Sequence, residues 1–170
     1  MIRIIVMGLL IIVNFVLQST LFPHFAIMAV TPDTALVLIV SYAVLRGDIE
    51  GAIFGFVVGL VQDLQSGLFV GLFSLLGFLT GYVCGKPFRD FFKDNYFLPF
   101  FVVVGVSLMY QFVLYITSIM VFGQLNFWLY FRTIILPKTI YTASLSVPLY
   151  AFLHFVNSRI EKREVFGLEI

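Results

Sequence analysis

Residues 4–22, 68–84, 98–122 and 134–156 form four long apolar runs in which Lys138 is the sole Asp, Glu, Lys or Arg. No other feature constrains the fold as strongly. A helix needs about 20 apolar residues to cross the hydrocarbon core of a bilayer, and these runs have that length. The rest of the chain offers little polar surface to cover them in water. Charged residues make up 11% of the 170 residues, and hydrophobic ones 61%; soluble domains carry roughly 25% charged. The sequence therefore predicts an all-α integral membrane protein forming a single membrane domain over 1–170. Only Arg3 precedes the first run, as in a secretory signal. Residues 4–22 exceed the signal core of about 7–15 residues, so this run is read as a retained first span.

Residues 34–62 are apolar except for Arg46-Gly47-Asp48-Ile49-Glu50. One helix through this stretch would carry three charges toward mid-membrane, at roughly 2.5–3.5 kcal/mol each at a helix centre. Two short helices, 34–46 and 49–62, place them in a turn. Each would be about 20 Å long at 1.5 Å per residue. Such helices must thin the bilayer, shelter among longer ones, or form a re-entrant hairpin. The expected spans are thus 4–22, 34–46, 49–62, 68–84, 98–122 and 134–156, followed by a short charged tail, 157–170. With the N-terminus inside, the cytoplasmic side holds Arg3, Arg46, Lys86, Arg89, Lys93, Arg159, Lys162 and Arg163, against Arg132 and Lys138 on or near the other side. Lys and Arg favour the cytoplasmic side of a membrane protein. Both termini are expected there. The re-entrant hairpin stays open.

Glycines recur every four residues at Gly51, Gly55 and Gly59, and Asp63 takes the next step. Gly67 and Gly71 continue the spacing; Gly77, Gly81 and Gly85 repeat it. Lipid gives no hydrophobic drive between helices, so association depends on close packing, which small residues permit. These glycines are read as packing faces, within the chain or toward a partner. Asp63, between Gln62 and Gln65, is expected at the outer rim where the third span ends. There it either caps the fourth helix by accepting backbone N–H groups, or acts as a proton or cation site or a polar anchor for a partner.

Asn14 and Gln18, followed by Ser19 and Thr20, form a polar stripe on the first span. It is expected to hydrogen-bond across to another helix, or else to line a cavity. Pro32-Asp33 reads as a helix start. Lys138 follows Pro137 and either snorkels or pairs with an acid, Asp33 and Asp63 being the candidates. His24 and His154 lie far apart and make no metal pair. Cys84, the sole cysteine, permits no intrachain disulfide and reads as a packing residue. No nucleophile–base set, HExxH, GxGxxG or phosphate loop occurs. Net charge is +1, which gives no field for nucleic acid. The residues point to no enzyme, cofactor or metal.

Several of these features together resemble the rod shape-determining protein MreD family. They are Gln18-Ser19-Thr20, Pro32-Asp33, the Arg46-Gly47 turn, Gly51-xxx-Gly55-Phe56-xx-Gly59-Leu60-xx-Asp63-Leu64-xx-Gly67-xxx-Gly71, and Gly81-Tyr82-xx-Gly85. The resemblance is dense over residues 14–85; beyond them it rests on length, hydropathy and the placement of Pro137 and Pro148. It implies a compact six-helix bundle similar to the substrate-binding subunits of energy-coupling-factor transporters. It also implies a non-catalytic scaffold in the bacterial cytoplasmic membrane that helps position lateral peptidoglycan synthesis. The implied partners are MreC directly, and with it MreB filaments, RodA and a class B penicillin-binding transpeptidase. A competing class is a vitamin-type transporter subunit, with Asn14, Gln18, Asp33, Asp63 and Lys138 lining a ligand site.

Overall fold

The computed structural model describes residues 2–21, 24, 30–66, 71–85, 98–123 and 126–167. They are almost entirely helical, with no β-strand among them, and form six rods. The first is α1 (Ile2–Val16), extended by a π-helical turn Leu17–Leu21. Then follow α2 (Thr34–Arg46), α3 (Asp48–Ser66), α4 (Leu72–Gly85) and α5 (Leu98–Phe122). The last rod is continuous: α6 (Phe127–Tyr130), a π-helical turn Phe131–Ile135, and α7 (Leu136–Gly167). Two stretches, Phe100–Met120 and Phe127–Asn157, are long and apolar enough to cross a membrane.

Each π turn has a local cause. Ser19 Oγ donates to the carbonyl of Phe15 at 2.7 Å and competes for that helical acceptor. Farther on, Pro137 has no N–H to donate, and its ring would crowd the carbonyl four residues back. The helix widens just before it, and Leu136 N–H donates to the carbonyl of Phe131, five residues back. The last rod therefore begins at Phe127, inside the stretch expected to be loop.

The core lies around α2. From Thr34 to Val44 every residue is buried. This helix packs on α3, α4, α5 and α7, and its apolar side chains enter two clusters. Val37, Val40 and Val44 meet Cys84, Val103 and Tyr150. Ala35, Ile39 and Tyr42 meet Phe54, Val58 and Leu153. Tyr42 stacks on Phe54 at 4.3 Å between centroids. A helix wrapped on all sides can be short, so of the options open from sequence, α2 shelters among longer helices. The longer rods show lipid-like surface outward: Leu64, Met109, Met120 and Trp128 are all at least 70% exposed.

Gly47, at φ 106°, makes the α2–α3 turn alone. That conformation disfavours any residue with a Cβ. Asp48 and Glu50 therefore fall in the first turn of α3, where the helix dipole favours acids. Helix α3 is also longer than expected, running to Ser66 rather than residue 62. At 19 residues it extends about 28 Å.

Helices α3 and α4 form an antiparallel pair in backbone contact. A Cβ built on Gly55 would fall under 3.0 Å from the carbonyl of Gly77, and one on Gly77 would meet Gly55 likewise. Gly51 and Gly81 oppose each other in the same way, Gly59 faces Phe73 and Ser74, and Gly85 faces Gly47 and Asp48. Each four-residue step along α3 is met by a four-residue step back along α4. The two glycine series thus face one another within the chain. Gly71 differs from the expected packing role: nothing lies within 4 Å of its would-be Cβ, and its φ of +97° marks a turn. Gly67, the segment 86–97 and the last residues of the tail lie outside the described residues.

Candidate functional site

The polar residues of the bundle gather where α2 and α4 begin and α3 ends. Asp63 stands in the last turn of α3, 2% exposed. Its Oδ1 accepts the N–H of Phe73 at 3.0 Å, and its Oδ2 accepts the N–H of Ser74 at 3.0 Å and the Ser74 hydroxyl. Those N–H groups belong to the first turn of α4, which has no intrahelical acceptors for them. Gly71, directly before α4, has no side chain to cap with. Asp63 supplies the cap from the neighbouring helix. Of the two readings open from sequence, the geometry is that of helix capping. Asp63 is buried rather than open to water, because Gln62 and Asp63 both turn inward and the helix continues past them to Ser66.

Gln62 serves the adjacent helix. Its Nε2 donates to Asp33 Oδ1 at 3.2 Å, and its Oε1 accepts from Tyr110 Oη at 3.4 Å. Asp33, 3% exposed, caps α2 by accepting the N–H of Leu36 at 3.1 Å. Its own N–H donates to Thr142 Oγ1 at 3.0 Å. Lys138 Nζ lies 3.9 Å from Asp33 Oδ2, so Lys138 pairs with Asp33 rather than Asp63. The pair joins α2 to α7, and Gln62 joins both to α3 and α5. Ser107 and Thr139 add an α5–α7 link at 3.4 Å.

The cluster is set deep along the two longest rods. Tyr110 is the midpoint of α5, with twelve residues to either end. Lys138 follows the start of the last rod at Phe127 by eleven residues, roughly 16 Å at helical rise. Beyond the cluster an aromatic layer joins α5 to α6. Tyr115 meets Phe127 at 5.2 Å and Tyr130 at 5.0 Å.

The α1 stripe is also corrected. Asn14 is buried, but its Nδ2 donates to Gln18 Oε1 on the same helix at 3.5 Å, and Ser19 bonds its own helix. Among the described residues, no hydrogen bond joins the stripe to another rod. Tyr110 and Thr142 were not singled out from sequence. A signal for Thr142 existed: Lys138, Thr142 and Ser146 are spaced by four and line one face of α7. Thr142 and Ser146 are both fully buried.

Among the described residues, no three His, Cys, Asp or Glu side chains gather as a metal site. The carboxylates face helix N-termini, an amide and an ammonium, so the arrangement fastens helices rather than presenting a reactive group. The class so defined is an apolar, all-helical bundle pinned by internal polar brackets. The chain belongs to the MreD family: the family profile, rod shape-determining protein MreD, matches residues 1–157. No curated protein and no solved structure matches significantly.

Proposed function

We propose that the chain is a six-span protein of the bacterial cytoplasmic membrane, with both termini cytoplasmic, acting as a non-catalytic scaffold of the elongation complex. The observation that carries this is the family match over nearly the whole chain. The exposed apolar rods and the buried polar brackets support it. A scaffold needs a firm surface, and the α3–α4 glycine contact together with the cap that Asp63 places on α4 makes that pair rigid. In this reading the chain meets MreC directly, and through it MreB, RodA and a class B penicillin-binding transpeptidase, to position lateral wall synthesis. The likeness to energy-coupling-factor substrate subunits belongs to the same reading. Because the glycine series of α3 and α4 face each other, a partner would dock on the outward side chains instead. The transporter alternative gains no support from the cluster. Asp33, Gln62 and Asp63 already have protein partners, whereas a ligand site offers groups left to be satisfied.

Depletion of the protein in its rod-shaped host is expected to round or swell the cells. Normal rods after full depletion would overturn the reading. Nanomolar binding of a vitamin by the purified protein would move it to transport.

A further inference from the structure

We infer that the bundle consists of two bodies hung on α2, the α3–α4 pair and the α5–α7 pair, and that the α4–α5 seam between them opens sideways. The contrast between the two seams carries this. At the α3–α4 seam the backbones touch at successive turns, so no side chain can yield there. At the α4–α5 seam the helices barely meet. Between them lies an apolar slot of about 260 Å³, lined by Leu76, Leu79, Val83, Val106 and Met109, with Cys84 and Tyr110 at its buried side. Apart from apolar packing in the shared core, the direct ties across this boundary are weak. Tyr110 Oη reaches Gln62 at 3.4 Å, and the Phe73 and Tyr110 rings lie 6.1 Å apart in a tilted arrangement. The Asp33–Lys138 pair, at 3.9 Å, ties α2 to α7 and leaves α4 free of it. Elements with few contacts occupy the low-stability end of a structure, and packed bodies shift by shear or hinge at such seams. The α3–α4 pair moves as one piece, and the Tyr110–Gln62 bond is its latch.

The test places two nitroxide spin labels across each seam of the full-length protein in lipid nanodiscs, in a Cys84→Ala background. Leu79→Cys with Met109→Cys spans the α4–α5 slot; both positions are more than 40% exposed. Ile53→Cys with Phe78→Cys spans the α3–α4 seam, also from exposed positions. Dipolar spectroscopy is expected to find two separations for the slot pair and one narrow separation for the glycine-seam pair. Tyr110→Phe, which removes only the latch hydroxyl, is expected to shift the slot pair toward the longer separation and leave the other pair unmoved. One narrow slot separation that Tyr110→Phe does not change overturns the inference. Equal broadening of both pairs also overturns it, because the bundle would then be loosening as a whole.

Discussion

Gln62 and Asp63 are neighbours on α3, yet their side chains secure two different helices. Gln62 donates to the carboxylate that caps α2, and Asp63 itself caps α4. Successive helical residues point about 100° apart. Adjacent polar residues can therefore serve two neighbours only where a helix is packed on both flanks. Helix α3, lying between α2 and α4, is so placed. The end of one helix thereby fixes the starts of two others, and the polar cluster works as a joint.

Asp63→Ala is expected to destabilise the fold more than loss of an ordinary surface cap. A missing cap costs about 0.5–2 kcal/mol, and buried donors left unsatisfied add about 1–3 kcal/mol. Asp63→Asn keeps one acceptor and is expected to fall between the two. Thermal unfolding of the purified variants in detergent, with the amount retained in membranes, measures the order. Equal stability of Asp63→Ala and the parent would show that the Phe73 and Ser74 N–H groups find another acceptor.

Much of this was legible in the sequence, and the misses have physical reasons. The ends of α2 are written in Pro32-Asp33 and in Gly47, residues that cap or turn by their own chemistry. The glycine spacing announced a close helix contact, since only backbone approach requires it. The end of α3 misled because Gln62, Asp63 and Gln65 look like a wet terminus. Polarity alone does not tell a residue facing water from one facing a helix end that lacks acceptors. The α1 stripe misled similarly, since Asn14 and Gln18 at i, i+4 can satisfy each other. Tyr110 escaped notice because an aromatic in an apolar run reads as core until its hydroxyl is seen to have a partner.

The glycines of α3 and α4 are expected to tolerate no methyl, in contrast to Gly105. Gly55→Ala and Gly81→Ala would drive a Cβ into the opposing backbone and part the two helices. At Gly105 nothing lies within 4 Å, and Ala there gains about 1 kcal/mol of helix propensity. Unfolding midpoints should fall for the first two and hold or rise for the third. A Gly55→Ala variant as stable as Gly105→Ala would contradict the backbone contact.

The Asp33–Lys138 pair is expected to show strong coupling. Removing one partner of a buried pair costs about 3–5 kcal/mol. Lys138 is partly open, its side chain 22% exposed, so Lys138→Met should fall at or below the lower end. Asp33→Asn disturbs the caps and the Gln62 bond as well as the pair, and should cost more. The double variant Asp33→Asn/Lys138→Met is expected to be less destabilised than the sum of the singles, because neither charge is left stranded. A double-mutant cycle on unfolding free energies reads the coupling. Strict additivity would show that the two groups do not interact across their 3.9 Å separation.

Pro137→Ala tests the cause assigned to the second π turn. Alanine restores an N–H at residue 137, which can bond the carbonyl of Thr133 and allow the turn to close into ordinary α-helix. Closing it removes one residue from the turn and rotates Phe127–Tyr130 by about 100° about the rod axis. Tyr115 would then lose its edge contact with Phe127, and Trp128, now 70% exposed, would face another direction. Trp128 is the sole tryptophan, so its emission reports the rotation directly. In vesicles carrying brominated lipid, its quenching should change on Pro137→Ala while helix content by circular dichroism stays the same. Unchanged quenching would mean that the aromatic layer, rather than the proline, holds the π turn open. In that case Tyr115→Ala added to Pro137→Ala should release it.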